Sequence, residues 1–402
     1  MNRIGSPNPA MTPPAVIASG IELNPAGGGL VIDLIAALTS SVGHRHERVV
    51  EAMRRVIETF PGQGGVPSSW LVKRKRAAAA DDLSLMSPFA GFSSLEILPS
   101  ADSANDAAIR AARSLAHAKG NSRYRIITPL GSDFGQTLAC RSASGRFESQ
   151  AALGPLVAGF RCVPAGDIRA IEKGIDDQTA AIMLAPVDWH RGGAPWDEDY
   201  LPKIRELCDA SDLLMILDET RLPPAVTGHW HHHQVHGISP DLLTLSAGWT
   251  GGLPGGIVLT SAHLASGNET KPAASLLTGG SGLVLLEQAI RATAEAILDA
   301  GGPDAVVAAI AGPWADGLRE LVEAFEFLVE VESVGLWSVV RTDIDARTIA
   351  TKCLAAGVQV AVTGETSLLT APPITLTPSQ ALDALAKIRD GLEMLERETI
   401  ES

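Results

Sequence analysis

The sequence is short of positive charge, and this shortage excludes two classes of partner. Its 32 lysines and arginines are outnumbered by 46 aspartates and glutamates, which gives a formal net charge of −14 at pH 7. Nucleic acids and anionic membrane surfaces are bound through clustered positive charge, so neither is expected as a partner. The one basic run, Lys73-Arg74-Lys75-Arg76, is interpreted as a solvated helix face.

Closely spaced cysteines and long apolar runs are missing as well. The four cysteines form no C-x-x-C pair and join no other metal-binding signature, which argues against a disulfide framework or a structural metal. No apolar run reaches the length of a membrane span, and the proline-rich start lacks the apolar core of a signal peptide. We therefore expect a cytoplasmic protein with a flexible segment at residues 1–15.

What the sequence does contain is an alternation of helix-like segments with short apolar runs. This alternation predicts an α/β fold built on a large, doubly wound, mostly parallel sheet. The predicted strands are Leu95–Leu98, Tyr124–Ile127, Ala180–Leu184, Leu213–Leu217, Leu242–Leu245 and Gly256–Leu259, and the predicted helices include Ser103–Ala118 and Leu201–Ser211.

The two ends of the chain differ from the middle in their pattern of apolar and polar residues. This difference predicts a second, smaller unit. Residues 21–41 have the pattern of extended structure, and the C-terminal part alternates short strands with two helices, the last of which is predicted over Pro378–Glu398 with Thr377 as its N-cap. We predict a small α+β domain formed by residues 16–45 and 305–402, and a large α/β domain formed by residues 46–304.

A series of motifs in a fixed order resembles the class III aminotransferases, closest to the acetylornithine and ornithine type. These are enzymes of fold type I that use pyridoxal phosphate (PLP), and the resemblance runs from about residue 20 to residue 395. It implies a homodimer, because the family builds its site at the subunit interface. The motifs that carry it are Gly43-His44-Arg45-His46, Ser103-Ala104-Asn105-Asp106-Ala107-Ala108, Gly154-Pro155-Leu156, Leu217-Asp218-Glu219, Thr227-Gly228-His229-Trp230, Pro240-Asp241-Leu242-Leu243-Thr244-Leu245, Gly251-Gly252-Leu253-Pro254 and Pro372-Pro373.

The resemblance breaks down at the residue that carries the family's chemistry. The family's T-L-x-K-G motif, which contains the Schiff-base lysine, is matched here by Thr244-Leu245-Ser246-Ala247-Gly248. Ala247 can neither form an imine with PLP nor transfer a proton. Covalent PLP is therefore not expected, and transamination is not the predicted activity.

The other anchors of the cofactor are altered too. In the family's phosphate-binding S-G-T-E-A-N pattern this chain has Ala101 and Asp102 in place of Gly-Thr, and a carboxylate would repel the phosphate whether or not it serves as an N-cap. Leu277 matches the threonine that the neighbouring subunit contributes, although a shift of one residue would restore Thr278. Leu369 matches the arginine that receives the substrate carboxylate.

Some polar and aromatic residues are retained or gained at the same positions. Asp218 matches the aspartate that pairs with the pyridine nitrogen of PLP, and Phe134 matches an aromatic position that covers its ring. The loop that follows a predicted strand carries Asp188, Trp189, His190 and Arg191, and Arg221 is interpreted as a partner for Asp218.

These residues suggest an acid–base site. We predict His190, Asp218, Arg221 and Asp188 as catalytic residues, because a histidine oriented by a carboxylate can move protons near neutral pH. We predict Arg191, Trp189, Asp102 and Phe134 as substrate-binding residues, with arginines receiving a carboxylate.

The sequence thus predicts an enzyme of PLP-independent, repurposed chemistry on a small carboxylate- or amine-bearing metabolite. One alternative is a non-catalytic partner subunit, and another is an enzyme that binds PLP or its amino form PMP without a covalent bond. An open cavity bordered by His190, Asp218 and Arg221 favours the enzyme, whereas a cavity filled by Trp189 or Trp249 favours a scaffold. The histidine-rich run at residues 229–236 is interpreted as structural, and no metal is expected.

Overall fold

A computed structural model describes residues 15–25, 28–59, 87–118, 122–146, 152–265 and 282–401. The expected flexible start, apart from residue 15, the basic run at residues 73–76, and Leu277 with Thr278 lie outside the described residues. In the described part of the chain, no helix has both the length and the apolar character needed to cross a membrane.

The helices alternate with strands through the middle of the chain. They are α1 (Glu47–Thr59), α2 (Ala101–Ala118), α3 (Leu138–Ser144), α4 (Ile168–Gly174), α5 (Tyr200–Ala210), α6 (Ala262–Ala265), α7 (Gly282–Asp299), α8 (Pro303–Ala308), α9 (Ala311–Ala324), α10 (Ala346–Ala355) and α11 (Pro378–Glu401).

The strands of the described residues form four sheets: a central one of seven strands, two of four strands built from the ends of the chain, and one short pair. They are β1 (Ala15–Ser19), β2 (Glu22–Pro25), β3 (Val31–Asp33), β4 (Phe92–Leu98), β5 (Arg125–Pro129), β6 (Phe160–Val163), β7 (Thr179–Leu184), β8 (Val187–Asp188), β9 (Ala194–Pro195), β10 (Leu214–Glu219), β11 (Leu242–Leu245), β12 (Gly256–Ser261), β13 (Leu328–Val334), β14 (Trp337–Thr342), β15 (Val358–Gln359), β16 (Ala361–Gly364) and β17 (Ser367–Thr370).

A seven-stranded sheet in the order β4-β12-β11-β10-β7-β5-β6 forms the centre of the molecule. The strands from β11 to β6 run parallel to one another, whereas β12 is antiparallel to both β11 and β4. The predicted α/β class and mostly parallel sheet are therefore confirmed, and all six predicted strands lie in this sheet. The sequence missed β6, whose residues Phe-Arg-Cys-Val do not form an apolar run.

Both faces of the sheet are buried, which explains why its strands appear as continuous apolar runs. In β10, Leu217 packs into the cluster on one face and Ile216 into the cluster on the other. Successive side chains of a strand point to opposite faces. Asp218 therefore points to the face covered by α2, and Glu219 points to the opposite face.

The smaller sheets contain residues from both ends of the chain. Strand β15 pairs in parallel with β3, and it extends the N-terminal sheet β1-β2-β3. A second sheet has the order β13-β14-β17-β16. The backbone N–H of Gln380 donates to Thr377 Oγ1 at 3.3 Å, which confirms Thr377 as the N-cap of α11. The exact domain boundaries stay a prediction.

Candidate functional site

A cleft lies where β5, β7 and β10 end, and the empty space between its lining atoms, including the part open to solvent, is about 350 Å³. In parallel α/β sheets, ligands bind outside the carboxyl ends of the strands, so this is the place where the topology favours a site. The lining residues in the described part of the chain are Pro129, Ser132, Asp133, Phe134, Ala165, Ala185, Val187, Asp188, Trp189, His190, Trp196 and Asp218.

Asp218 contributes a buried carboxylate to this cavity. One oxygen accepts hydrogen bonds from the backbone N–H and the hydroxyl of Thr220, at 2.9 and 2.6 Å, and the other accepts from Asn105 Nδ2 at 2.9 Å. Burial raises the pKa of Asp218, and these donors together with the charge of Arg221 oppose the rise. The carboxylate is thus well hydrogen-bonded while one edge faces the cavity.

The loop after β7 brings three of the predicted residues to the cavity. Asp188 ends β8 and begins a 3₁₀ turn over Trp189–Arg191, where its carboxylate accepts the backbone N–H of His190 at 2.9 Å. Burial raises the pKa of Asp188, and the hydrogen bond from His190 opposes the rise. Asp188 is therefore a carboxyl group that takes up a proton more readily than an exposed aspartate does.

His190 has a defined hydrogen-bonding partner. Its Nε2 atom lies 2.8 Å from the carbonyl oxygen of Leu130, which can only accept a hydrogen bond. The neutral imidazole therefore carries its proton on Nε2, and Nδ1 is left as the basic nitrogen. A histidine in this state can accept a proton at Nδ1.

Arg221 does not pair with Asp218, which corrects the interpretation made from the sequence. It forms an ion pair with Asp133, and its guanidinium carbon lies 5.3 Å from the centre of a Trp189 ring. Asp133 lies in the loop after β5, next to Phe134. From this position its carboxylate, and not that of Asp218, pairs with Arg221. Arg221 is not among the described lining residues of the cavity.

Arg191 is not among the described lining residues of the cavity. It pairs with Glu332 on β13 and lies 3.9 Å from Glu330. A two-pronged carboxylate receptor made of Arg191 and Arg221 is therefore not assembled in this structure, since each guanidinium already has a carboxylate partner.

Asp102 also lies outside the described lining. It is in the first turn of α2, and its carboxylate accepts the backbone N–H of Gln136 at 3.0 Å. The N-cap of α2 is Ser100 and not Asp102, because the hydroxyl of Ser100 accepts the backbone N–H of Ser103 at 3.1 Å. Ala101 is the first residue of the same helix.

The two tryptophans that would indicate a filled cavity lie in different places. Trp249 is fully buried and packs against Phe89 and Trp230 on the opposite face of the sheet. Trp189 forms one wall of the cavity together with Phe134 and Trp196. Trp249 therefore does not enter the cavity, whereas Trp189 is part of its lining.

Two of the positions that differ from the family's motifs, Ala247 and Leu369, are not among the described lining residues of the cavity. Ala247 follows β11, the strand that places Thr244 beside Asp218, and the backbone N–H of Ala247 donates to the carbonyl of Thr220 at 2.9 Å. Leu369 lies on β17 and belongs to a buried apolar cluster that contains residues from both ends and from the middle of the chain.

Two contributions to the site were missed from the sequence. Asn105 was noted as part of a motif, but its contact with Asp218 depends on the packing of α2 against β10. Trp196 lines the cavity because β9 and β8 form a short antiparallel pair. Strands of two residues are too short to give a recognisable pattern in the sequence.

Behind the sheet, Glu219 holds the histidine-rich segment. Its carboxylate accepts the backbone N–H groups of His232 and His233, at 2.9 and 2.8 Å, and lies 2.8 Å from His233 Nδ1. Burial acts to raise the pKa of Glu219, but the neighbouring histidines outweigh it and lower the pKa to about 2. Among the described residues, no group of three histidine, cysteine, aspartate or glutamate side chains could hold a metal ion.

Comparison with protein families gives one match that covers nearly the whole chain. A model of the class-III aminotransferases matches residues 9–392. The acetylornithine aminotransferase of Caldanaerobacter subterraneus is 28% identical over 383 residues, which is 94% of each chain. The acetylornithine aminotransferase of Methanocaldococcus jannaschii is 29% identical over 377 residues, covering 93% of this chain and 92% of the relative.

Solved structures share the fold at lower identity. The ornithine aminotransferase from Toxoplasma gondii superposes with a TM-score of 0.81 and 22% identity, covering 96% of this chain and 91% of the other. An amine transaminase from an uncultivated Pseudomonas species, solved in the PLP-bound internal aldimine form, gives a TM-score of 0.80 and 21% identity, covering 97% of both chains.

Proposed function

The chain belongs to the class III aminotransferase family, and we propose that within this family it acts without covalently bound PLP, as an acid–base enzyme on a small metabolite. The observation that carries the proposal is the composition of the cavity: Asp188, His190 and Asp218 line it, and none of its described lining residues is a lysine. We also propose a homodimer, by analogy with the family.

The surroundings of Ala247 support the first part of the proposal. A methyl group cannot form the C=N bond that ties the cofactor to the protein. The lysines in the described part of the chain lie on four helices, α4, α5, α10 and α11, and none of them lines the cavity. The residues present therefore do not fit a covalently held PLP.

The start of α2 supports it as well. In the family this helix end receives the phosphate of the cofactor, but here the carboxylate of Asp102 sits beside it on the backbone N–H of Gln136. A phosphate dianion placed against a carboxylate, partly shielded from water, would be repelled by on the order of several kcal/mol. Neither Ala101 nor Asp102 is among the described lining residues.

In the proposed chemistry the three cavity residues divide the proton transfers. His190 accepts a proton at Nδ1, because its Nε2–H is held by Leu130. Asp188 and Asp218 line the same cavity and supply the carboxyl groups that exchange protons with the ligand. Arg221 holds Asp133 and supports the Trp189 wall of the cavity.

Spectroscopy of the purified full-length protein tests the cofactor part. The protein is incubated with PLP, its visible spectrum is recorded, and borohydride is added before mass spectrometry. We expect no visible band of an aldimine. We also expect that no other lysine takes over the role of the family's Schiff-base lysine and becomes modified by PLP. A PLP group trapped on one lysine, with a matching visible band, would contradict the proposal. A visible PLP spectrum without any trapped lysine would indicate non-covalent binding instead.

Proton exchange tests the acid–base part. Metabolites that raise the unfolding temperature are incubated with the protein in deuterated water. We expect solvent deuterium to enter a bound metabolite, or the metabolite to be converted, and we expect both to be lost in His190→Gln. If none of the stabilising ligands takes up solvent deuterium or is converted, the result would favour the non-catalytic partner subunit.

A further inference from the structure

Three side chains form a hydrogen-bonded chain at the edge of the large sheet that lies away from the cavity. Ser261 ends β12, His263 follows it, and Asp241 immediately precedes β11. Leu242 at the start of β11 pairs with Thr260 near the end of antiparallel β12. Strand β11 runs parallel to β10 and β7. Its start therefore lies opposite the carboxyl ends that border the cavity, and none of the three residues is among the described lining residues.

His263 lies between the other two residues and contacts each with a different ring nitrogen. Its Nε2 atom lies 2.6 Å from Asp241 Oδ1, and its Nδ1 atom lies 2.7 Å from Ser261 Oγ. A carboxylate can only accept a hydrogen bond, so the neutral imidazole carries its proton on Nε2. Nδ1 is then the nitrogen with the lone pair, and the hydroxyl of Ser261 donates to it. The proton of this hydroxyl thus already points toward a base.

The carboxylate of Asp241 is fixed in position. Its side chain is only 4% exposed, and its Oδ2 atom accepts the backbone N–H of Met215 at 2.7 Å and Nη1 of Arg205 at 2.8 Å. These two donors leave Oδ1 to accept from His263. A fixed carboxylate in this place orients the imidazole and stabilises the imidazolium that forms when Nδ1 takes up a proton.

The base is open to solvent, and the serine has some exposure too. The side chain of His263 is 59% exposed, and Ser261 is 8% exposed. A serine hydroxyl is a weak nucleophile until an adjacent base, itself oriented by a third group, activates it. Ser93 nearby shows the contrast, because its hydroxyl donates to the backbone carbonyls of Thr260 and Ser261, at 3.2 and 3.1 Å, which do not take up its proton.

We propose that Ser261 is a nucleophile that takes an acyl group from small activated esters and thioesters, with His263 as its base and Asp241 as the residue that orients the base. Ser261 Oγ forms a bond to the acyl carbon, and the bond from that carbon to the leaving alcohol or thiol breaks. The serine proton passes to His263 Nδ1 and then to the leaving group. Water releases the acyl group as a carboxylic acid by the same proton path. This reaction goes beyond the function proposed for the cavity and does not depend on it.

The probe for this reaction is p-nitrophenyl acetate. The full-length protein is mixed with the ester, release of p-nitrophenol is followed, and the acid-quenched protein is mapped by mass spectrometry. We expect an acetyl group on Ser261, or a release of p-nitrophenol that is lost in Ser261→Ala. Acetyl groups confined to other residues, together with equal release in Ser261→Ala, overturn the proposal. A rate no greater than that of the ester in buffer overturns it as well.

Two further variants separate the base from its surroundings. His263→Gln keeps a hydrogen-bonding side chain but removes the base, and it is expected to slow the reaction of Ser261 about a hundredfold or more. Ser93→Ala removes the neighbouring hydroxyl and is expected to react as the unaltered protein does. Circular dichroism shows whether each variant is folded, and the mapping of the unaltered protein needs none of them. Reaction of folded His263→Gln at the unaltered rate overturns the proposal.

The two proposals fail separately. Failure of Ser261 to react leaves the acid–base chemistry of His190, Asp188 and Asp218 standing. Deuterium exchange that persists in His190→Gln contradicts the function proposed for the cavity and leaves the acylation of Ser261 untouched.

Discussion

Asn105 Nδ2 donates a hydrogen bond to Asp218 Oδ2 at 2.9 Å, and it thereby ties α2 to the end of β10 at the floor of the cavity. Both side chains are buried. The same amide donates to the carbonyl of Phe134, another lining residue, at 2.9 Å. One side chain therefore holds two walls of the site in place.

Replacement of Asn105 by leucine is expected to lower the free energy of unfolding by about 1–3 kcal/mol, because it leaves a buried carboxylate and a buried carbonyl each short of a donor. Urea unfolding at neutral pH measures the loss. Asn24→Leu, at an exposed position on β2, is the matched control and should change stability little. Equal stability of the two variants would show that the Asn105 contact contributes nothing.

The histidine cluster behind the sheet is expected to make the protein sensitive to mild acid. Burial lowers the pKa of His231 and His232 from 6.5 to about 4. Between these two pH values the unfolded chain binds more protons than the folded one, so the free energy of unfolding falls as the pH falls through this window. Each histidine contributes about 3 kcal/mol to the total change.

His231→Gln isolates part of this effect. Glutamine keeps a donor for the carbonyl of Pro88, to which His231 Nε2 is bonded at 2.7 Å, but it does not titrate. Urea unfolding across the window should show a shallower loss of stability with acid than in the unaltered protein. His117→Gln, at an exposed position of α2, should keep the full slope. An unchanged slope in His231→Gln would contradict the assignment.

The course of the large sheet could be predicted from the sequence because its strands are buried on both faces. Runs such as Leu242–Leu245 are apolar except for Thr244, and the structure begins and ends β11 at the same residues. Strand β6 offers no such signal, since Arg161 interrupts it and contacts the carbonyl of Gly174. Strand prediction from neighbouring residues fails where a polar side chain within the strand is hydrogen-bonded to a residue distant in the sequence.

The members of the site could be predicted more readily than their contacts. Asp188, His190 and Asp218 do line one cavity. Arg221 was expected to pair with Asp218, but the choice between Asp133 and Asp218 depends on the path of the loop after β5. No local spacing in the sequence encodes that path.

Gly192 is expected to be needed for the position of the loop that carries His190. Its φ of +73° favours glycine, and a Cβ placed there would lie 2.5 Å from Ser367 Cβ and 2.8 Å from Thr363 Oγ1. Gly192→Ala should therefore cost about 1–3 kcal/mol in the free energy of unfolding. Ser367→Gly in the same chain should recover part of it. Gly237→Ala has a similar positive φ but no atom within 4 Å, so it separates backbone strain from the collision.

A lysine introduced at position 247 alone is expected to be insufficient for stable PLP binding. Ala247→Lys supplies an amine after β11, but Asp102 still places a carboxylate at the helix end where the family binds phosphate. Repulsion on the order of several kcal/mol between the two anions should keep the cofactor weakly held. The double variant Ala247→Lys with Asp102→Thr removes the charge and should be trapped by borohydride at far lower PLP concentrations than Ala247→Lys alone. Ala247→Lys with Asp106→Asn removes a carboxylate one turn further along α2, where Asp106 pairs with Arg110, and should gain little. If Ala247→Lys alone were trapped as readily as the double variant, Asp102 would not be the barrier, and the residue at position 247 by itself would decide whether PLP is held.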